Sequence, residues 1–440
     1  MGRLFAPVDI ASLVVFRILF GAAMVQEAVR YGMMGWISEY YIDPKFYFTY
    51  YGFEWVKPWA GKGMYVHFVV MGLAALGVML GAWYRISAFL LFVTFTYVFL
   101  LEQAHYLNHF YLICLLAFLM IFIPAHRALS VDAWRRPSLK SNDAPAWGLW
   151  LLLAQISIVY FYAGIAKLNA DWLHGEPMRT WLGERGHIPL IGPFFDKEWM
   201  ILLFNYGGLA FDLFIVPLLL WKRTRVFGFC WAVTFHLLNF VLFNIGIFPW
   251  LMLAATLLYF RPDWPRLVFK WRRSGTVSKW QQARWPRAVV AALAVYLGFQ
   301  LLVPFRHLLY RGSVHWTEEG HRFSWHMKLR DKSGTARFYV TDPVRGNTWQ
   351  VHPRLYLTER QTTKMSVRPD MILQFAHYIA RDQARRRGIS HPLEVRARVM
   401  ASLHGRPSQL LIDPTVNLAA QKRSLRGADW ILPLEPQVTP

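Results

Sequence analysis

Nine apolar stretches dominate this chain and leave it few ways to fold: about residues 9–30, 64–83, 86–102, 107–124, 147–167, 198–221, 226–243, 245–260 and 288–305. Crossing roughly 30 Å of hydrocarbon takes about 20 apolar residues of helix, fewer where a helix end is buried against protein. Inside lipid every backbone N–H and C=O needs a partner from the protein itself, which a helix supplies and a lone strand does not. The pattern therefore predicts a mostly α, polytopic membrane helical bundle of about nine spans. The pair 226–260 is interrupted by Asn244, Gly246 and Pro249, so it also reads as one long kinked element.

The formal charge of +22 would in a soluble chain suggest nucleic acid. Here the basic residues lie between apolar stretches and in the last third, with no nucleic-acid motif beside them, so their expected partner is membrane lipid. They also report sidedness, because Lys and Arg accumulate in cytoplasmic loops. With the N-terminus inside, the inner loops carry Arg85, then Arg127, Arg135, Arg136 and Lys140, then KRTR at 222–225, then the most basic loop of all, 261–287. The longer outer loops, 31–63 and 168–197, balance their basic residues with acids. This alternation suits nine spans and places the end of the ninth, and all that follows, outside. The N-terminal segment has one arginine before its apolar run and no small-residue cleavage site, and reads as a retained first span. Cys114 and Cys230 both lie in apolar runs, which argues against a disulfide framework.

From about residue 306 the character changes, giving expected domains of 1–305 in the membrane and 306–440 on the outer face. LEVRARVM alternates Val395, Ala397 and Val399 with charged neighbours, the period of a half-buried strand. RPDMILQFAHYIARDQARRRG spaces Met371, Phe375 and Ile379 by four between Pro369 and Gly388, a helix with ordinary start and stop signals. The outer part is expected to be a small α+β extramembrane domain.

Polar side chains within spans are costly and usually face a bundle interior or cavity. Glu102, His105, Asn108 and His109 surround the start of the fourth span, Lys167 and Asn169 close the fifth, Asp212 lies inside the sixth, and His236 and Asn239 share a face of the seventh. Most fall in the outer half of the membrane, a convergence that suggests a site. Each also has a plain structural reading: Lys167 in FYAGIAKLNADW as an anchor reaching the headgroups, Asp212 as partner of Arg17, His236 and Asn239 as helix cross-links. HYLNH puts His105 and His109 four apart, two metal ligands without a third, so no metal is predicted. Nucleophile-elbow, P-loop and dinucleotide fingerprints are absent from the sequence. The residues alone give a polytopic membrane protein with an outward-facing polar pocket.

FYAGIAKLNADWLHGEPM resembles the AG-x-x-K-L-x-A-D-W segment of vitamin K-dependent γ-glutamyl carboxylases. SLVVFRILFG, LGVMLGAWYRIS with YVFLLEQ, NHFYLICLLAF, FHLLNFVLFNIGIFPWLMLA with RPDWPR, and FSWHMKL are similar to their family counterparts in the same order, from about residue 10 to the end. The resemblance implies an enzyme that oxidises a vitamin K hydroquinone (phylloquinol or menaquinol) with O₂ to the 2,3-epoxide and couples this to CO₂ addition at the γ-carbon of a protein or peptide glutamate. It implies catalytic roles for Lys167, Asn108 and His109, with His236, Asn239 and Asn169 in the quinone or substrate pocket. A base that takes a proton from a hydroquinone must be neutral, and desolvation at an apolar boundary favours the neutral amine.

Two departures matter: animal members carry adjacent lysines where this chain has Ala166 before Lys167, and they extend further and bind a propeptide. The chain looks like a bacterial relative of the horizontally transferred transmembrane type, in the cytoplasmic (inner) membrane with its site towards the periplasmic face. A quinone or epoxide reductase is its implied functional partner. The alternatives are a quinol epoxidase or quinol-binding protein without carboxylation, and a membrane scaffold or transporter, against which the lack of an internal repeat counts.

Overall fold

The computed structural model describes residues 2–243, 245–273 and 286–435. Asn244, and residues 274–285 of the basic loop, lie outside the described residues. Each of the nine apolar stretches contains a helix: α1 (Ala11–Met33), α2 (Gly63–Leu80), α3 (Tyr84–Leu101), α4 (Asn108–Phe122), α5 (Ala146–Ala166), α6 (Glu198–Leu220), α7 (Arg225–Phe243), α8 (Phe248–Thr256) and α9 (Pro286–Leu302). Among the described residues seven helices are long and apolar enough to cross a membrane, not nine. The two short ones are α4 and the run Phe248–Tyr259. At 1.5 Å per residue the 15 residues of α4 rise only about 22 Å. The polar turn 102–107 delays its start, and Pro124 follows soon after its end. α7 and α8 are separate helices, with Pro249 at the start of α8.

α1 runs through the centre and packs along α2, where Gly21 sets the separation. A Cβ there would lie 2.5 Å from the backbone nitrogen of Met79. Gly21→Ala is therefore expected to push the two helices apart, at a cost of about 1–3 kcal/mol. Gly298→Ala in α9, where an added methyl meets nothing within 4 Å, is the control. Thermal unfolding in detergent should show a clear drop in midpoint for the first variant only; equal midpoints would remove Gly21 as a packing determinant.

Arg17, fully buried in α1, donates to the carbonyls of Ala125 (2.9 Å), Ala128 (3.3 Å) and Leu129 (2.5 Å). It thus closes the loop after α4 instead of pairing with Asp212. A two-stranded ribbon of β1 (Pro7–Asp9) and β2 (Asp143–Pro145) fastens the N-terminus beside α5.

The C-terminal region holds an antiparallel sheet in the order β4-β3-β5-β6, formed by β3 (Lys332–Thr341), β4 (Thr348–Val351), β5 (Glu394–Leu403) and β6 (Gln409–Leu410). Val395, Ala397 and Val399 of β5 face inward, as the alternation predicts. Two helices lie between β4 and β5 in the chain, α10 (Glu359–Met365) and α11 (Pro369–Arg387). α11 starts on Pro369 and stops at a left-handed Gly388, and Met371, Phe375 and Ile379 are fully buried. Phe375 meets Phe338 of β3 edge to face at 4.9 Å.

The sheet region is pinned to the bundle by buried polar contacts. Glu102 accepts from Gln361 Nε2 (2.7 Å) and from the backbone of Ala104 (2.8 Å) and Phe48 (3.3 Å). Gln374 donates to Gln103 Oε1 at 3.2 Å. The segment FSWHMKL goes further and plugs into the bundle, with Trp325 fully buried and stacked 5.0 Å from Tyr111 of α4. Phe323, Trp325 and Lys328 all have positive φ (64°, 58° and 49°), a backbone that only firm anchoring sustains in such residues.

Candidate active site

A cavity of about 450 Å³ lies between α4, α5, α6, α7 and α8, with the FSWHMKL segment contributing to its wall. Its lining is largely aromatic and aliphatic, with Asn108, His109, Tyr160, Lys167, Asp212, His236, Asn239 and Lys328 as the main polar groups.

Lys167 is the C-terminal cap of α5, an end whose free carbonyls favour a cation. α5 and α6 cross closely because position 164 is glycine; a Cβ there would come within 2.6 Å of Leu213. The close crossing brings Lys167 against Asp212. Lys167 Nζ donates to the Asp212 carboxylate in a short ion pair and to the Ala163 carbonyl at 3.3 Å. Both side chains are buried, 7% and 6% exposed, and the ammonium lies 5.1 Å from the Trp172 ring centre. The sequence flags both residues, and Asp212 pairs with Lys167, not with Arg17 as its structural alternative had it.

His236 on α7 shares a 2.9 Å hydrogen bond between Nε2 and the Tyr160 hydroxyl, which ties α7 to α5. Its Nδ1 is buried without a protein partner. Asn239, one turn on, donates Nδ2 to the Phe235 carbonyl at 2.8 Å and lines the cavity beside it. His109 packs its ring 5.6 Å from Phe248. Asn108 is engaged at both ends: Oδ1 accepts from Tyr106 Oη (2.9 Å) and Nδ2 donates to the His326 carbonyl (2.9 Å). Phe323 N completes the chain by donating to Tyr106 Oη at 2.7 Å. Asn108 therefore anchors the plugged segment at the cavity wall.

Asn169 is not among the residues that line the cavity. Its Oδ1 accepts from Trp172 N (3.0 Å) and its Nδ2 donates to the Ala166 carbonyl (2.9 Å), so it caps the short helix Ala170–Leu173 and steers Trp172 towards Lys167. His105 likewise leaves the site. It sits in a 3₁₀ turn before α4, packed 4.2 Å from Tyr40, and HYLNH is not one helix presenting two ligands.

Sequence reasoning also missed Tyr160, Trp172 and Lys328. Trp172 belongs to the quoted lysine segment and Lys328 to FSWHMKL, but nothing in the spacing says that both reach one cavity. Elsewhere, ligand atoms of Asp171, His315 and His404 lie within 4.8 Å of one another, with Asp171 already ion-paired to Arg406.

Comparison with known families finds two matches in succession. The HTTM domain covers residues 5–264, and the vitamin K-dependent gamma-carboxylase lumenal domain covers residues 285–437. No solved structure matches the chain. The first match spans the helices that build the cavity, and the second spans the segment that plugs into it. With these two regions in this order over nearly its whole length, the chain belongs to the vitamin K-dependent gamma-carboxylase family.

Proposed function

We propose that this protein oxidises a vitamin K hydroquinone with O₂ to the 2,3-epoxide and couples that oxidation to CO₂ addition at the γ-carbon of a protein or peptide glutamate. The observation that carries the reading is the Lys167–Asp212 pair, buried in an apolar cavity whose other polar groups include His109 and His236. The residues fit such a co-substrate: the volume is in the range of small-molecule sites, the walls are aromatic, and His236 Nδ1 is left without a protein partner to meet a ring oxygen. When bound, the hydroquinone supplies the reducing electrons and, on reaction with O₂, the strong base that removes the γ-proton.

The chain's own part is to handle protons and hold geometry. Lys167 and Asp212 act as one unit, because a proton moved from the ammonium to the carboxylate gives a neutral amine beside a neutral acid. The amine so formed takes the hydroquinone proton. His236, oriented by Tyr160, and His109 hydrogen-bond the ring oxygens, while Asn108 keeps the plugged segment closed over the site.

The loop charges support an N-terminus on the cytoplasmic face of a bacterial inner membrane, with the cavity and sheet region towards the periplasm.

The test is an assay of purified protein in nanodiscs with reduced menaquinone, O₂, labelled bicarbonate and a short glutamate-containing peptide, following epoxide and label together. Both products are expected. Epoxide without label would reduce the function to quinol epoxidation, and neither product would overturn the proposal.

A further inference from the structure

We propose that Lys328 is the carboxylate-recognition group of the cavity, the residue that selects a glutamyl side chain over its uncharged counterparts. This inference rests on the acceptor being glutamate, as argued above, and adds the residue that reads its charge.

The charge balance of the cavity makes the case. Its lining contains only three side chains with a formal charge at neutral pH: Lys167, Asp212 and Lys328. The first two cancel in their ion pair. Lys328 has no carboxylate within ion-pair distance among the described residues, and Asp331, Glu184 and Arg185 act on it only at longer range; its Nζ lies instead 4.8 Å from the Trp181 ring centre and 5.1 Å from that of Phe243. Two aromatic faces attract an ammonium but accept none of its three N–H bonds in the manner of an oxygen. The cavity is thus left with one positive charge and three donors suited to an anion.

Position decides which anion. Lys167 and Asp212 are buried, whereas Lys328 is exposed at the wall and belongs to the segment arriving from the sheet region. Of the cavity's three charged side chains it is therefore the one open to a ligand outside the bundle. The segment is also held where it is: Asn108 fixes the His326 carbonyl, Trp325 is buried in the bundle, and Lys328 itself has a left-handed backbone (φ 49°). A pre-placed ammonium recognises a carboxylate with little further ordering, and a charge-assisted hydrogen bond is roughly twice as strong as a neutral one.

The experiment measures binding, so that it does not depend on turnover. Wild type, Lys328→Ala and Lys328→Arg, each in nanodiscs, are titrated with a short peptide bearing one glutamate and with its glutamine counterpart; menaquinone binding is followed separately by tryptophan quenching. Wild type should prefer the glutamate peptide by about tenfold or more, which corresponds to ~1.4 kcal/mol. Lys328→Ala should bring the ratio close to unity, Lys328→Arg should keep much of it, and menaquinone affinity should change far less than the peptide ratio. A wild type that does not discriminate, an alanine variant that still does, or loss of menaquinone binding in place of peptide preference would each overturn the assignment. Failure of epoxide formation in wild type would bear on the reaction proposed above and leave the peptide ratio to decide this one.

Discussion

Lys167→Ala is expected to abolish epoxide formation, lowering its rate by at least the factor of about 10²–10⁴ that a positioned general base contributes. The same change strips the counter-charge from a buried carboxylate. Removing one partner of a buried ion pair typically destabilises by about 3–5 kcal/mol, so low activity in this variant alone could reflect loss of fold. The double variant Lys167→Ala with Asp212→Ala separates the two effects, because it leaves no orphaned charge. It should recover most of the lost thermal stability and still make no epoxide. A double variant that unfolds as readily as the single would deny the ion pair its energetic coupling. Epoxide at the wild-type rate from either variant would remove Lys167 as the base.

Much of this site is legible in one sequence, for a definite reason. Lys167, Asp212, His236 and Asn239 are polar groups where the surroundings are lipid or packed helix, and such groups are retained only when something faces them. Strand β5 and helix α11 are equally legible, since Val395, Ala397 and Val399 or Met371, Phe375 and Ile379 repeat at the period of their element. What periodicity does not carry is which residue faces which. Asp212 sits opposite Lys167 and not Arg17 because Gly164 lets α5 and α6 approach, while Arg17 finds backbone carbonyls that have no signature in sequence. Asn169 shows the same limit at short range. An asparagine two residues after the lysine looks like a pocket group, but its distance from Trp172 N makes it a helix cap. Span counting failed where apolar length and helix length part company, as in α4, which starts only after the Glu102 turn has bonded to the sheet region.

Asp212→Asn is the sharper probe of how the base works, because it leaves Lys167 in place and removes only the charge it faces. The carboxylate holds the ammonium before reaction and faces the ammonium formed when the hydroquinone proton arrives. Without it that buried charge has nothing to offset it, and the epoxidation rate per folded molecule should fall about tenfold or more. A purely structural role for Asp212 would lower the amount of folded protein and leave the rate per folded molecule where it was. Asp212→Glu, which restores the charge on a longer arm, should recover part of the lost rate. An unchanged rate per folded molecule in Asp212→Asn would mean that Lys167 acts without its partner, and the proton would then have to leave by another group lining the cavity.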